Sequence, residues 1–125
     1  MVQEALAGME KKVFLSWLLA FYGELLTDNQ REVSRLYWEE DLSLAEIAEQ
    51  FSVSRQSVHD TVSRTERQLE FWEEKLGLLC RFQHLEAGLK ACEEELSQII
   101  ATEDTAPHLA AAHRRIAELL DQEEA

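Results

Sequence analysis

SLAEIAEQFSVSRQSVHDTV, residues 43–62, decides the fold. Ser43 is followed three residues later by Glu46. At that spacing the hydroxyl caps the amide of residue 46 and the carboxylate reaches back to the amide of residue 43. The short helix that starts there carries Leu44, Ile47, Ala48 and Phe51 on one face. Phe51-Ser52-Val53-Ser54 reads as a turn, and Ser54 caps the helix that follows. A helix-turn-helix needs a small residue where its helices touch, a tight turn, and an aliphatic anchor in the second helix. Ala48 supplies the small contact, Ser52 and Val53 sit in the turn, and Val58 is the anchor. Ile47, Phe51 and Val62 fill the space beneath. The motif is predicted over residues 27–69.

Upstream, Thr27-Asp28-Asn29-Gln30 forms a second capping box. It opens a helix that turns Val33, Leu36 and Tyr37 inward and stops near Glu40. Before it, a helix from about Glu10 to Leu26 places Phe14, Trp17, Leu18, Phe21 and Leu25 on one face. Residues before Glu10 read as frayed. Downstream no breaker occurs between Ser54 and Gly77. Val58, Val62, Thr65, Leu69, Trp72 and Leu76 recur at steps of four and three, a seam that wants another helix along it. A second seam, Leu78, Phe82, Leu85, Leu89, Cys92, Leu96 and Ile99, is out of phase with the first, so a bend is expected at Gly77. Residues 101–107 form a linker. Thr105 and Pro107 are placed to open a last helix with Leu109, Ala112, Ile116 and Leu119 on its apolar stripe. The reading is all-α: a helix-turn-helix domain at 10–76 and a helical extension at 78–121. The extension is expected to fold as an antiparallel hairpin and to serve dimerisation or docking. Two long seams need more cover than one chain provides, and a homodimer is the expectation.

Composition agrees. Only four Gly and one Pro occur in 125 residues, too few turn formers for a sheet-rich fold. Net charge is −13, with residues 1–80 and residues 81–125 both acidic. A field of that sign repels phosphate backbones and anionic lipid, and so disfavours indiscriminate nucleic-acid binding. Cys80 and Cys92 match no metal spacing and read as reduced core thiols of a cytoplasmic protein. Neither a signal peptide nor a membrane span is predicted, because the apolar stretch 13–26 is short and interrupted. His59, His84, His108 and His113 form no metal-binding pair, no glycine-rich loop cradles phosphate, and the cysteines lack a histidine partner. No catalytic residue, metal or cofactor is expected.

Leu26-Thr27, Gln30-Arg31, Leu36-Tyr37, Ser43 to Ala48 and Val53-Ser54-Arg55 resemble region 4 of bacterial sigma factors. A closer likeness is carried by Phe21-Tyr22-Gly23, Leu25 to Asp28, Glu46 to Glu49, Val53 to Gln56, Arg64-Thr65-Glu66 and Glu74 to Leu78. These blocks are similar to the YlxM-type (UPF0122) helix-turn-helix family over about residues 10–85. The resemblance implies a bacterial cytosolic protein, often dimeric, with a sigma-region-4-like motif and a helical extension. It further implies a role in the signal recognition particle pathway, since the family's genes lie beside that of the particle's GTPase, Ffh. A regulatory, nucleic-acid-binding role is the other implication. This chain departs from the pattern at Ser52, where such motifs usually hold glycine. His59 and Ser63 likewise stand where the family commonly has an aromatic residue and a lysine.

Function is therefore read as that of a non-enzymatic regulatory or adaptor protein. Its partners would be the particle's GTPase and RNA, met through protein or RNA contacts and without membrane contact. The alternative is a DNA-binding transcriptional regulator. Arg55, Gln56, His59 and Ser63 are residue types that meet base edges, and Arg31, Arg35, Arg64 and Arg67 are types that meet phosphates. Asp60, Glu66 and Glu70 interleave with them, and ordinary pairs along the helix surface are the plainer reading of Arg64 and Arg67.

Overall fold

The computed structural model describes residues 10–124. The segment before Glu10, read above as frayed, lies outside the described residues. The helices are α1 (Lys11–Tyr22), α2 (Asp28–Trp38), α3 (Leu44–Phe51), α4 (Arg55–Leu76), α5 (Leu78–Ser97) and α6 (Ala106–Glu124). A 3₁₀ turn at Gly23–Leu25 follows α1, and no strand occurs among the described residues. The chain divides into two compact units, residues 1–80 and 81–125.

Local hydroxyl chemistry sets the helix starts. Thr27 Oγ1 accepts from the Gln30 amide at 3.1 Å, while Gln30 Oε1 accepts from the Thr27 amide at 3.3 Å. Ser43 and Glu46 reproduce this exchange at 3.1 and 3.3 Å. Ser54 Oγ accepts from the Ser57 amide at 3.0 Å. The stops are left-handed residues. Ser52 closes α3 at φ 55°, with the Val53 amide donating to the Ala48 carbonyl at 3.0 Å. That 6→1 bond is the Schellman closure usually entrusted to glycine, here imposed on a residue with a Cβ. Gly77 closes α4 at φ 63° and makes the break expected there.

The core of the first unit is built on α4, which packs against α1, α2 and α3. Val58, Val62, Thr65 and Leu69 are buried on α4, as are Phe14, Leu15, Leu18, Leu19 and Tyr22 on α1, Val33, Leu36 and Trp38 on α2, and Ile47 and Ala48 on α3. Ala48, the small residue of the motif, is buried on α3, the helix that packs against α4. Gln30 Nε2 also donates to Gln68 Oε1 at 2.7 Å, tying α2 to α4 through polar groups.

Two apolar faces differ from the expectation. On α1 the buried set is 14, 15, 18, 19 and 22, whereas Trp17 is 37% and Leu25 61% exposed. The α-helix ends at Tyr22, and the tighter 3₁₀ turn carries Leu25 off the helical stripe. On α4 the seam turns before its end. Leu76 is 49% exposed and Glu73 is wholly buried.

Glu73 is buried because its carboxylate is fully engaged. Tyr22 donates its hydroxyl to Oε1 at 2.6 Å, and the amides of Leu79 and Cys80 donate to Oε1 and Oε2, each at 3.0 Å. The Tyr22 oxygen in turn accepts from the Leu78 amide at 3.1 Å. A helix start leaves its first amides without intrahelical acceptors. At the start of α5 those amides are met by side chains from α1 and α4. Burial, then the bond to Glu73, pushes the Tyr22 phenol well above its ordinary pKa of 10.0.

In the second unit, residues 98–105 join α5 to α6. Among the second-seam residues of this unit, Leu85, Cys92 and Ile99 lie at the surface. Cys92 is therefore not a core thiol, and no disulfide joins it to Cys80.

Candidate nucleic-acid interface

The start of α4 positions the candidate reading residues. Val58 and Val62 face the core, and the first turns of the same helix also carry residues that reach solvent. Arg55, Gln56 and His59 are exposed there, and Ser63 is half-buried one turn further on. In the motif core, Ala48 and Val58 are buried, while Ser52 and Val53 lie in the exposed turn between α3 and α4. The remaining α4 arginines do not converge with Arg55. At about 100° per residue Arg64 is turned roughly half a revolution away, and at about 1.5 Å per residue Arg67 lies about 18 Å along the axis.

Electrostatics divides the eight candidates. Arg55, Arg64 and Arg67 have no ion pair within the described residues. The plainer reading of Arg64 and Arg67, as members of surface pairs, is not what the structure shows. It is α2 that carries such pairs. Arg31 is bound by Asp28 and lies 3.2 Å from Glu24. Arg35 reaches Glu32 at 2.7 Å and Glu40 at 3.1 Å. The Arg35 hydrogen bond holds the Glu32 carboxyl below the ordinary carboxylate value and raises the guanidinium's own pKa. Both α2 arginines thus already have carboxylate partners at the surface, which a phosphate would have to displace. On α4, Gln56 Nε2 donates to Asp60 Oδ1 at 2.9 Å, and His59 Nδ1 lies 3.7 Å from the same carboxylate oxygen.

His59 and Ser63 also face a second feature. They form one wall of a cleft of about 270 Å³ floored by Leu15, Trp38 and Val62. Lys11, Lys12, Tyr37, Glu66 and, from α3, Leu44 complete its lining. Lys11 pairs with Glu66 at 2.8 Å, a contact that raises its pKa. Lys12 pairs with Asp41 at 3.1 Å and stands 5.1 Å over the Tyr37 ring. Burial, followed by repulsion from Glu66, raises the pKa of nearby Glu70. Sequence reasoning did not find this cleft. Its walls come from four elements between residues 11 and 66, and a Lys-Lys pair at a helix start carries no signal of what folds over it.

Among the described residues no group of three or more His, Cys, Asp or Glu is placed to hold a metal. No helix among them is long and apolar enough to cross a membrane.

A family model described as "Putative helix-turn-helix protein, YlxM / p13 like" matches residues 9–106. The UPF0122 protein of Halalkalibacterium halodurans is 42% identical over 96 residues, covering 77% of this chain and 88% of that relative. The UPF0122 protein of Bacillus cereus strain AH187 is 46% identical over 96 residues, covering 77% of this chain and 84% of its own length. A Bacillus thuringiensis subsp. konkukian relative shows the same identity and coverage. No solved structure matches the chain.

Proposed function

The chain belongs to the YlxM/p13-like (UPF0122) helix-turn-helix family, and on that premise we propose that it is a non-enzymatic regulatory adaptor of the signal recognition particle pathway. It acts in the bacterial cytosol on the particle's GTPase and RNA. The observation that carries this reading is the unequal state of the arginines. Arg55 is open at the start of α4, while Arg31 and Arg35 are held by carboxylates of α2 and its flanks. A duplex reader fixes its register through many phosphate contacts. This chain has few cations to give, and its net charge of −13 opposes the remainder. A compact polar patch on an acidic body suits a partner recognised by shape or by its own basic surface.

The second reading, a helix-turn-helix DNA-binding regulator, draws on the same open patch, because Arg55 and Gln56 are base-edge types at the start of the second helix. A homodimer, with the surface seam of α5 as its contact, belongs to both readings.

Titration of the purified protein against the particle's GTPase, its RNA and a random DNA duplex, at several salt concentrations, separates them. The adaptor reading expects binding to the GTPase or the RNA and none to the duplex. Binding to duplex DNA alone, with a steep salt slope, transfers the function to the regulator reading.

A further inference from the structure

We infer that the cleft between α1, α2, α3 and α4 is a pocket for one unstacked nucleotide of an RNA strand. The inference rests on the RNA arm of the proposed function and names the part of the strand that is held. Three observations converge on it.

The first is the cleft's build. Leu15, Trp38 and Val62 make an apolar floor, with a few polar groups converging above it, and its volume of about 270 Å³ falls just below the usual range of ligand pockets, a size for one small group. Tyr37 supplies an aromatic wall of the kind that receives splayed-out bases.

The second is charge. On a protein of net charge −13, two lysines line this cleft, balanced by Glu66 in its lining and by Asp41 beside Lys12, so it lacks the acidic excess of the chain as a whole. The two ammonium groups have different tasks. Lys11 is committed to half-buried Glu66, and that pairing cancels the carboxylate that would otherwise repel a phosphate. Among the described residues, the ion-pair partner of Lys12 is Asp41, whose side chain is 75% exposed, and its ammonium stands over the Tyr37 ring. An exposed pair of that kind is weak and exchangeable, so Lys12 can turn to a phosphate at little cost.

The third is continuity. His59 and Ser63 belong both to the exposed side of α4 and to this cleft. A strand lying along Arg55 and Gln56 can therefore drop one nucleotide beside His59. There the imidazole and the Ser63 hydroxyl offer hydrogen bonds to base or ribose.

The test uses the full chain labelled with nitrogen-15. The probes are uridine 5′-monophosphate, uridine, inorganic phosphate and a uridine hexaribonucleotide. Amide shifts are expected at Tyr37, His59 and Ser63 with the hexamer and the monophosphate. Uridine and phosphate alone should bind more weakly. The hexamer should bind about tenfold more tightly than the monophosphate, since its neighbours reach the Arg55 patch. Equal or tighter binding of the monophosphate overturns the strand as the source of the nucleotide. Lys12→Gln should weaken hexamer binding about tenfold, and Lys12→Arg should retain it. Ser63→Leu should close the cleft and abolish the shifts at Tyr37. Unchanged affinity in both Lys12→Gln and Ser63→Leu, with native circular dichroism, overturns the inference. If those variants still bind the particle's RNA as the parent does, the pocket fails while the adaptor reading stands. If the parent protein binds neither that RNA nor the GTPase, the adaptor reading falls, and a hexamer response confined to the cleft would then stand on its own.

Discussion

Glu73 is a buried carboxylate that accepts three hydrogen bonds, one from Tyr22 and two from amides at the start of α5. Removing a partner from such a group leaves buried polar atoms unmet, and bonds to charged groups contribute more than neutral ones. Tyr22→Phe should therefore lower unfolding stability by about 1.5–3 kcal/mol in a denaturant titration. Glu73→Gln should cost a similar amount, and a loss within error for both variants would remove the latch from the account. Glu70 makes the opposite case. Its pKa is raised above the ordinary 4.5, so the folded chain holds that proton more tightly than the unfolded chain. The charged form is thus a penalty at neutral pH, relieved as pH falls through the raised value. Glu70→Gln should raise the melting temperature at pH 7 and leave it unchanged well below pH 4.5. An equal gain at both pH values would contradict the sign.

Among the elements, the short helices owe their starts to hydroxyl caps and their spacing to Ala48. Ala48 is 5% exposed at the α3–α4 contact, so a larger side chain there has nowhere to go. Ala48→Leu should destabilise the chain by about 1–3 kcal/mol in thermal or denaturant melts. A neutral result would mean that the two helices are not in register through this residue. This scale is also where the sequence was most readable. Thr27 with Gln30 and Ser43 with Glu46 are local exchanges, complete within four residues, and both are present. The left-handed stop at Gly77 is local too. The tilt of α1 was not readable, because the 3₁₀ turn that drops Leu25 from the stripe is a tertiary adjustment. Nor does anything near Glu73 in the sequence announce that Tyr22, 51 positions away, will share its proton. The cleft beside His59 stayed hidden for the same reason, its walls meeting only after α1 folds over α4.

At the scale of the molecule, acidity and unsatisfied apolar surface set the terms of any partnership. Leu85 on α5, at 46% exposure, and Ile99 just past its end, at 54%, are apolar surface that water disfavours. Sedimentation should show a species of twice 14.4 kDa, and a clean monomer at micromolar concentration would contradict self-association through that surface. The acidic body makes any nucleic-acid contact depend on a few open cations, with Arg55 foremost. The most direct test is the affinity of the Arg55→Ala variant for the particle's RNA beside that of the parent chain, with helical content followed by circular dichroism. The account predicts about tenfold weaker binding with unchanged helicity. Unchanged affinity would contradict it.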